Sequence, residues 1–292
     1  MYGAVTKKII IALLASMPLS IVSCSGGKSE DELNAENLLS KVKNLYADKQ
    51  YGNAMEMIDS LMESFPGMID VQRKAMHFQT LIIEKQTIQD SLNNEIALKK
   101  AKQLEDSLSK AFKFIKTEDM VEGYHLVNYI NPDQLLTTSN IEARIAENSG
   151  IYIVSALHGS SVKHTHIKIV SGNESVTTKD VPLSNPRNYR FVDGGKNTEM
   201  VTFNSAECDS LCAFVNNHID KPIKLLFQGN NKQKAIILDS KTKTAIAETW
   251  KYYSVRQQIA SAEINRLKFM KKLQLARKQI KQTATNIQGD RQ

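Results

Sequence analysis

The strongest pattern of hydrophobic and polar positions lies near the C-terminus. Apolar residues recur there at alternating steps of four and three, and no glycine or proline interrupts them before Gly289. Eight of the ten positions are apolar, the set being Val255, Ile259, Ala262, Arg266, Phe269, Leu273, Ala276, Ile280, Thr283 and Ile287. Such steps place one face of a helix on a seam and are typical of a coiled coil. The pattern predicts a basic coiled-coil helix over 246–287.

A second periodic stretch covers residues 69–116, which contain neither glycine nor proline. Its apolar positions are Ile88, Leu92, Ile96, Ala101, Leu104, Leu108, Ala111 and Ile115. They predict one or two long helices within a helical region over 35–122. Because a long exposed apolar stripe needs a partner, we expect this stretch to pair antiparallel with the C-terminal helix as a stem. Pairing of the C-terminal helices of two copies is the alternative.

The region between the two long helices has a different pattern of apolar and polar residues. Apolar and polar residues alternate, and turn-forming residues interrupt them, as expected for short strands. The strand candidates are 151–157, 162–170, 175–181, 189–192 and 199–203, with a hairpin formed by 222–227 and 235–238. These elements predict a β-rich head over 123–245 inserted into the helical stem. The expected fold class is therefore α+β.

Residues 35–66 carry the pattern of two short helices joined by a turn. The apolar positions are Leu38, Leu45, Tyr51, Ala54, Ile58 and Leu61, and Pro66 ends the second helix. In this spacing the segment resembles a single tetratricopeptide repeat, which implies a helical hairpin whose apolar face packs on the following helix. A helical hairpin that matches the repeat by chance is the alternative.

The N-terminal residues have the pattern of an export signal. Lys7 and Lys8 precede an apolar run over Ile9–Val22, which is short for a membrane-spanning helix. The run ends in Ser23 and Cys24, and here the sequence resembles bacterial lipoprotein precursors.

That resemblance implies a signal peptide over 1–23, cleavage before Cys24, acylation of Cys24, and an acylated flexible tether over 24–34. Ser25 after the cysteine favours the outer membrane, with the protein facing the periplasm or the cell surface. Ordinary secretion without Cys24, or an uncleaved anchor, are the alternatives.

The charge distribution adds a candidate binding face. The chain has a net charge of +7, and residues 251–292 hold ten basic and two acidic side chains. The basic residues proposed for a face are Arg266, Lys268, Lys271, Lys272, Arg277, Lys278 and Lys281. They suit an anionic lipid, lipopolysaccharide or an acidic protein, whereas nucleic acid is not expected outside the cytoplasm. A solvated face that keeps the helix soluble is the alternative.

Two side-chain clusters could carry chemistry. His164 and His166 lie two apart in a candidate strand, so both could hold a metal ion if His158 supplied a third ligand; a solvent-facing strand is the alternative. Cys208 and Cys212 lie on one helical face with Leu211 and could form a disulfide or remain buried thiols. The sequence contains no phosphate-binding loop, nucleophile elbow, zinc-protease or paired-cysteine motif, and we expect no enzyme and no cofactor.

These features together favour a non-enzymatic, membrane-anchored envelope lipoprotein that serves as a protein-interaction or scaffold module. A stalked head that binds a metal or a glycan is the second hypothesis. A periplasmic chaperone-like factor is the third.

Overall fold

The computed structural model describes residues 28–289 apart from residues 119, 149 and 205. The predicted signal peptide, its cleavage site and Cys24 lie outside the described residues. Within them the fold is mixed α+β, as the sequence predicted, with five α-helices and two antiparallel sheets. The helices are α1 Glu30–Ala47, α2 Tyr51–Ser64, α3 Ile69–Ser109, α4 Glu207–Asn217 and α5 Ser240–Gly289. Among these residues, no helix is both long and apolar enough to cross a membrane.

The described residues divide into two compact units. The first, called the helical unit, comprises residues 28–83 and 277–289, and the second, called the head unit, comprises residues 84–276. Each long helix contributes one part to each unit.

The helical unit contains α1, α2, the first part of α3 and the last part of α5. Its core consists of Ala35, Leu39, Val42, Ala54, Ile58, Leu61, Val71, Ala75 and Ile82. Ala35, Ala54 and Ala75 are fully buried. Because an alanine projects only a methyl group, these positions allow the helices to pack closely at points where a larger side chain would overfill the core.

The start of α1 corrects the predicted tether, which the structure replaces with helix from Glu30 onward. The Ser29 hydroxyl accepts a hydrogen bond from the backbone N–H of Glu32, which satisfies a donor left open at the helix end. Glu30, Asp31 and Glu32 occupy the first turn, where their charge interacts favourably with the helix dipole. These three acidic residues, which fall within the predicted tether over 24–34, therefore stabilise the beginning of a helix.

In the head unit, α3 and α5 run antiparallel. Arg256 lies next to Glu105, whereas Arg266 lies 3.0 Å from Glu95, so residue numbers rise along one helix as they fall along the other. The Asn94 side chain also donates a 2.9 Å hydrogen bond to the backbone oxygen of Ala262.

The faces buried along these helices agree with the sequence for α5 and differ from it for α3. Val255, Ala262 and Ala276 of the predicted α5 seam are buried. In the head-unit part of α3, however, Leu92, Ile96 and Leu104 are about half exposed, and the buried positions are Thr87, Leu98 and Ala101. The predicted α3 stripe was therefore wrong for Leu92, Ile96 and Leu104, whereas its member Ala101 is buried, as are Thr87 and Leu98.

The head unit also contains ten strands among the described residues. They are β1 Phe112–Ile115, β2 Tyr124–Val127, β3 Asn140–Ala146, β4 Ile151–His158, β5 His166–Ser171, β6 Glu174–Thr177, β7 Asn188–Asp193, β8 Lys196–Phe203, β9 Lys224–Gly229 and β10 Lys232–Ile237. One sheet has the order β1-β2-β3-β4-β8-β7, and the other has the order β10-β9-β5-β6. All pairings are antiparallel.

Three of these strands escaped the sequence analysis. The predicted helix over 69–116 ends at Ser109, and Ile115 belongs to β1, which pairs with β2. The strand β3 was also missed, although Ile141, Ala143 and Ile145 alternate along it and are buried. Strand structure consequently begins at residue 112, ahead of the predicted head boundary at 123.

One core joins the two sheets, α4 and the beginning of α5. Ile153 and Phe203 come from the larger sheet, Phe227 from the smaller one, Leu211 from α4 and Ile246 from α5. Burial of such a cluster from both sheets and two helices is the main apolar contribution to the stability of the head unit.

Gly229, at the end of β9, marks a close backbone contact in this unit. A Cβ atom built at this position would lie 2.3 Å from the carbonyl oxygen of Lys163 and 2.8 Å from the Cα atom of His164. Only glycine lets the β9–β10 turn approach the segment ahead of β5 so closely.

We expect Gly229→Ala to lower the free energy of unfolding by about 1–3 kcal/mol, because the added methyl group must displace backbone. Urea unfolding monitored by circular dichroism measures this change. Gly150→Ala is the matched control, since nothing lies within 4 Å of the added Cβ atom there. Equal stability of the two variants would contradict the proposed contact.

Candidate functional site

The three histidines proposed as metal ligands lie in separate hydrogen-bonded settings. His164 is fully buried just ahead of β5, and its Nδ1 and Nε2 atoms are engaged by Glu199 and Ser155. His166 begins β5 and contacts Asp180 through Nδ1. Both ring nitrogens of His158 have partners, the Leu135 carbonyl oxygen and the Thr198 hydroxyl.

The metal prediction for His158, His164 and His166 is therefore corrected. The segment ahead of β5 turns the His164 ring into the core, whereas the His166 ring lies near the surface, so the two do not share a strand face. Across the described part of the chain, no group of three or more His, Cys, Asp or Glu side chains is placed to hold a metal ion.

Ser155, His164 and Glu199 form a chain of short hydrogen bonds at the centre of the head unit. Ser155 Oγ lies 2.8 Å from His164 Nε2, and His164 Nδ1 lies 2.8 Å from Glu199 Oε2. Glu199 also accepts hydrogen bonds from the backbone N–H groups of Lys163 and His164. The carboxylate on β8 thus fixes the backbone of the segment that leads from β4 into β5.

The electrostatics of this chain follow from its burial. Burial lowers the pKa of His164, and the Glu199 carboxylate opposes this shift without reversing it. Burial raises the pKa of Glu199, but the hydrogen bonds donated by His164 and Lys163 outweigh it and leave the pKa below its usual value. The ring is consequently neutral near pH 7, with Nδ1–H donating to Glu199 and Nε2 accepting from the Ser155 hydroxyl.

A serine, a histidine and a carboxylate in this order have the connectivity of a nucleophile relay. Ser155 and His164 are nevertheless 0% exposed, and Glu199 is 2% exposed. A substrate has no route to the Ser155 oxygen in this conformation. The arrangement instead satisfies buried polar groups and connects β4, β8 and the segment before β5.

Cys208 and Cys212 lie on the buried face of α4, and the structure has both as thiols rather than as a disulfide. The Cys208 thiol donates to the Phe203 carbonyl oxygen at 3.1 Å, which directs its sulfur toward β8. Burial raises the pKa of Cys212 well above its usual value, so this thiol is a poor nucleophile. Of the two alternatives left open by the sequence, the structure has the buried thiols.

The helical unit contains an open groove of about 580 Å³. Its lining comes from α1, α3 and α5 and consists of Glu36, Leu39, Lys43, Val71, Lys74, His77, Phe78, Ala284 and Ile287. Apolar side chains therefore lie beside two lysines, one glutamate and one histidine. A cleft that combines apolar surface with a few polar groups is the usual form of a binding site.

The polar side chains of the groove leave it with an excess of positive charge. Glu36 accepts a hydrogen bond from Lys28, which together with the charges of Lys74 and Lys43 holds the pKa of Glu36 below its usual value. Lys28 satisfies Glu36 directly, whereas Lys43 and Lys74 form no ion pair within the part of the chain that the structure describes. The groove thus offers two cationic groups to a ligand.

His77 adds a hydrogen-bonding group to the same groove. Its Nδ1 atom lies 2.7 Å from the Thr283 hydroxyl, which itself donates to the Gln279 carbonyl oxygen. A neutral imidazole has one donor and one acceptor nitrogen, so His77 can bind Thr283 through Nδ1 and use its other ring nitrogen for a ligand. Burial lowers the pKa of His77, which favours this neutral form.

The basic residues predicted for a face of α5 are exposed along the helix. Lys268, Lys271, Lys272, Arg277, Lys278 and Lys281 are all exposed, as is Arg266, which pairs with Glu95. In the head-unit part of α5, Ile264, Leu267, Met270 and Leu275 are each more than half exposed.

Sequence reasoning missed the groove because its lining comes from three helices distant along the chain. Lys43, Lys74 and His77 have no spacing that marks a site, and only the fold brings them together. The one available signal was the incomplete repeat at 35–66, which needs the next helix to cover its apolar face.

Comparisons of the chain with protein families, curated proteins and solved structures found no match.

The free energy of unfolding is expected to fall as the pH drops below about 6.5, because unfolded histidine takes up a proton that the buried His164 ring resists. Each such histidine contributes a slope of about 1.4 kcal/mol per pH unit between its folded and unfolded pKa values. His77 and His125, whose pKa values burial also lowers, act in the same direction. Urea unfolding as a function of pH measures the slope.

His164→Asn should reduce that slope by the contribution of about one proton. Ser155→Ala is the matched control, because it removes a partner of the ring and keeps the titrating group. An unchanged slope in His164→Asn would show that His164 does not resist protonation in the folded protein.

Proposed function

We propose that this protein is a non-enzymatic, membrane-anchored envelope lipoprotein that serves as a protein-interaction module. Acylation at Cys24 holds it on a membrane, with the outer membrane as the proposed location. The leader sequence supports the anchor, and the groove of the helical unit supports the interaction.

The groove carries the proposal because it combines the two elements of peptide recognition. Phe78, Ala284 and Ile287 are only partly buried, and they provide apolar surface whose coverage by a partner is favourable. Lys43 and Lys74 provide positive charge beside it. The proposed occupant is a segment of an envelope protein in which an acidic side chain lies near an apolar one.

The finer architecture of the proposal is a tetratricopeptide-like hairpin formed by α1 and α2, and a coiled-coil stem formed by α3 and α5. The buried Ala54, Ile58 and Leu61 of α2 support the first assignment. The antiparallel contacts of Glu95 and Glu105 with arginines of α5 support the second. In this arrangement α1 of the hairpin supplies one wall of the groove, and α3 and α5 supply the rest of its lining.

The anchor is testable by metabolic labelling with a fatty acid that carries an alkyne group. The wild-type chain should incorporate the label, and Cys24→Ser should lose it completely, because Cys24 supplies the acylated atoms. Ser25→Ala, one residue further along, should retain the label. Label retained by Cys24→Ser would place acylation elsewhere and remove the basis for this anchor.

The groove is testable by site-specific photo-crosslinking in intact cells. A photoreactive residue at position 43, inside the groove, should crosslink to one envelope protein, and Lys74→Glu should reduce the yield about tenfold by reversing a charge that attracts the partner. Position 41 on α1 is exposed but does not line the groove, and it is the matched control.

The envelope protein identified by crosslinking should then be purified. Its affinity for the Lys74→Glu variant should fall by the same factor as the crosslinking yield. Equal crosslinking from positions 41 and 43, or a yield that Lys74→Glu does not alter, would contradict recognition in the groove.

A further inference from the structure

The outward side of α5 in the head unit combines exposed apolar and basic residues. Ile264, Leu267 and Leu275 are 54%, 62% and 61% exposed. Lys268 and Lys271 are exposed between them. Spacings of three, four and seven place these five residues on one side of the helix, called the outer face.

The outer face lies opposite the residues that pack toward α3. Val255, Ala262 and Ala276 are buried on the inward side, and the Ala262 carbonyl oxygen accepts the hydrogen bond from Asn94. The apolar residues of the outer face therefore contribute nothing to the contact with α3. Exposed aliphatic side chains in a row are uncommon on a soluble surface and indicate a surface that something else covers.

The charge around the outer face has one sign. Residues 264–289 include seven lysines and arginines and no aspartate or glutamate. Arg266 is partly offset by Glu95 on α3 and by Glu263, but Lys268, Lys271 and Lys272 form no ion pair within the described residues. The covering surface must therefore be anionic as well as apolar.

We propose that the outer face of α5 lies on the anionic headgroup layer of a membrane. A helix that presents lysines among aliphatic side chains suits this layer, since the aliphatic groups enter the boundary with the acyl chains while the ammonium groups stay at the phosphates. Lysine achieves this by burying its methylene stem and extending its charge to the interface.

A lipid surface fits better than a folded acidic protein for two reasons. The outer face is the convex side of a single helix, so by itself it has no pocket to receive the anchoring side chain of a protein partner. Its exposed apolar residues are Ile264, Leu267 and Leu275, and none of them is aromatic, although aromatic residues dominate protein interfaces. A bilayer needs no matching pocket and accepts flexible aliphatic side chains.

The proposal is testable by vesicle co-sedimentation. The chain expressed from Ser25 onward keeps every described residue and lacks the acylated cysteine, so binding does not depend on the anchor or on the groove. It should sediment with vesicles of phosphatidylcholine and phosphatidylglycerol, remain in solution with pure phosphatidylcholine, and dissociate as salt is added.

Two double substitutions separate the components of the outer face. Lys268→Gln with Lys271→Gln should weaken binding about tenfold or more, because each lysine contributes to attraction by anionic lipid. Leu267→Gln with Leu275→Gln should weaken it comparably by removing the inserted groups. Circular dichroism verifies that each variant remains folded.

The matched controls lie on exposed positions of α3. Lys99→Gln with Lys100→Gln removes the same charge, and Leu92→Gln with Ile96→Gln removes similar apolar surface. Both should bind vesicles like the unsubstituted chain. Equal losses in the α3 and α5 lysine pairs would overturn the proposal in favour of net charge alone. Binding that the Leu267 and Leu275 pair leaves unchanged, and that soluble polyglutamate abolishes, would overturn it in favour of an acidic protein.

Discussion

The antiparallel contact between α3 and α5 in the head unit is the interaction on which the rest of that unit depends. The strands begin at residue 112, just after α3, and end at residue 237, just before α5. Because the two helices pair, the chain enters and leaves the sheets at neighbouring points, and an inserted domain can fold between them. The same contact decides which side of α5 is buried, and hence which side remains available to other molecules.

The seam of α5 could be predicted from the sequence, but that of α3 could not. Periodicity identifies a buried face when that face is also the most apolar, as with Val255, Ala262 and Ala276 on α5. On α3 the inward face carries Thr87 and Asn94, so the apolar signal selected Leu92 and Ile96, which are exposed. A polar side chain that bonds to the backbone of a neighbouring helix has no signature in hydrophobic periodicity.

The strands and the candidate sites could likewise be predicted from the sequence only in part. Most of the strands after residue 150 follow an alternating pattern between turn residues and were found near their observed positions, whereas β1 and β2 have only four residues each and follow a long helical pattern. The His164 prediction failed for a different reason. A strand pattern assigns His164 and His166 to one face, but Glu199, distant in sequence, binds the backbone ahead of β5 and turns the His164 ring inward. Long-range polar contacts of this kind, like the lining of the groove, become visible only in the fold.

We propose that the described residues form a protein module held at a membrane through Cys24. The most direct test is the intact mass of the protein purified from cell membranes. The account predicts the mass of a chain that begins at Cys24 and carries added acyl groups on that residue. A mass equal to the unmodified 292-residue chain, or to a cleaved chain without acyl groups, would contradict it.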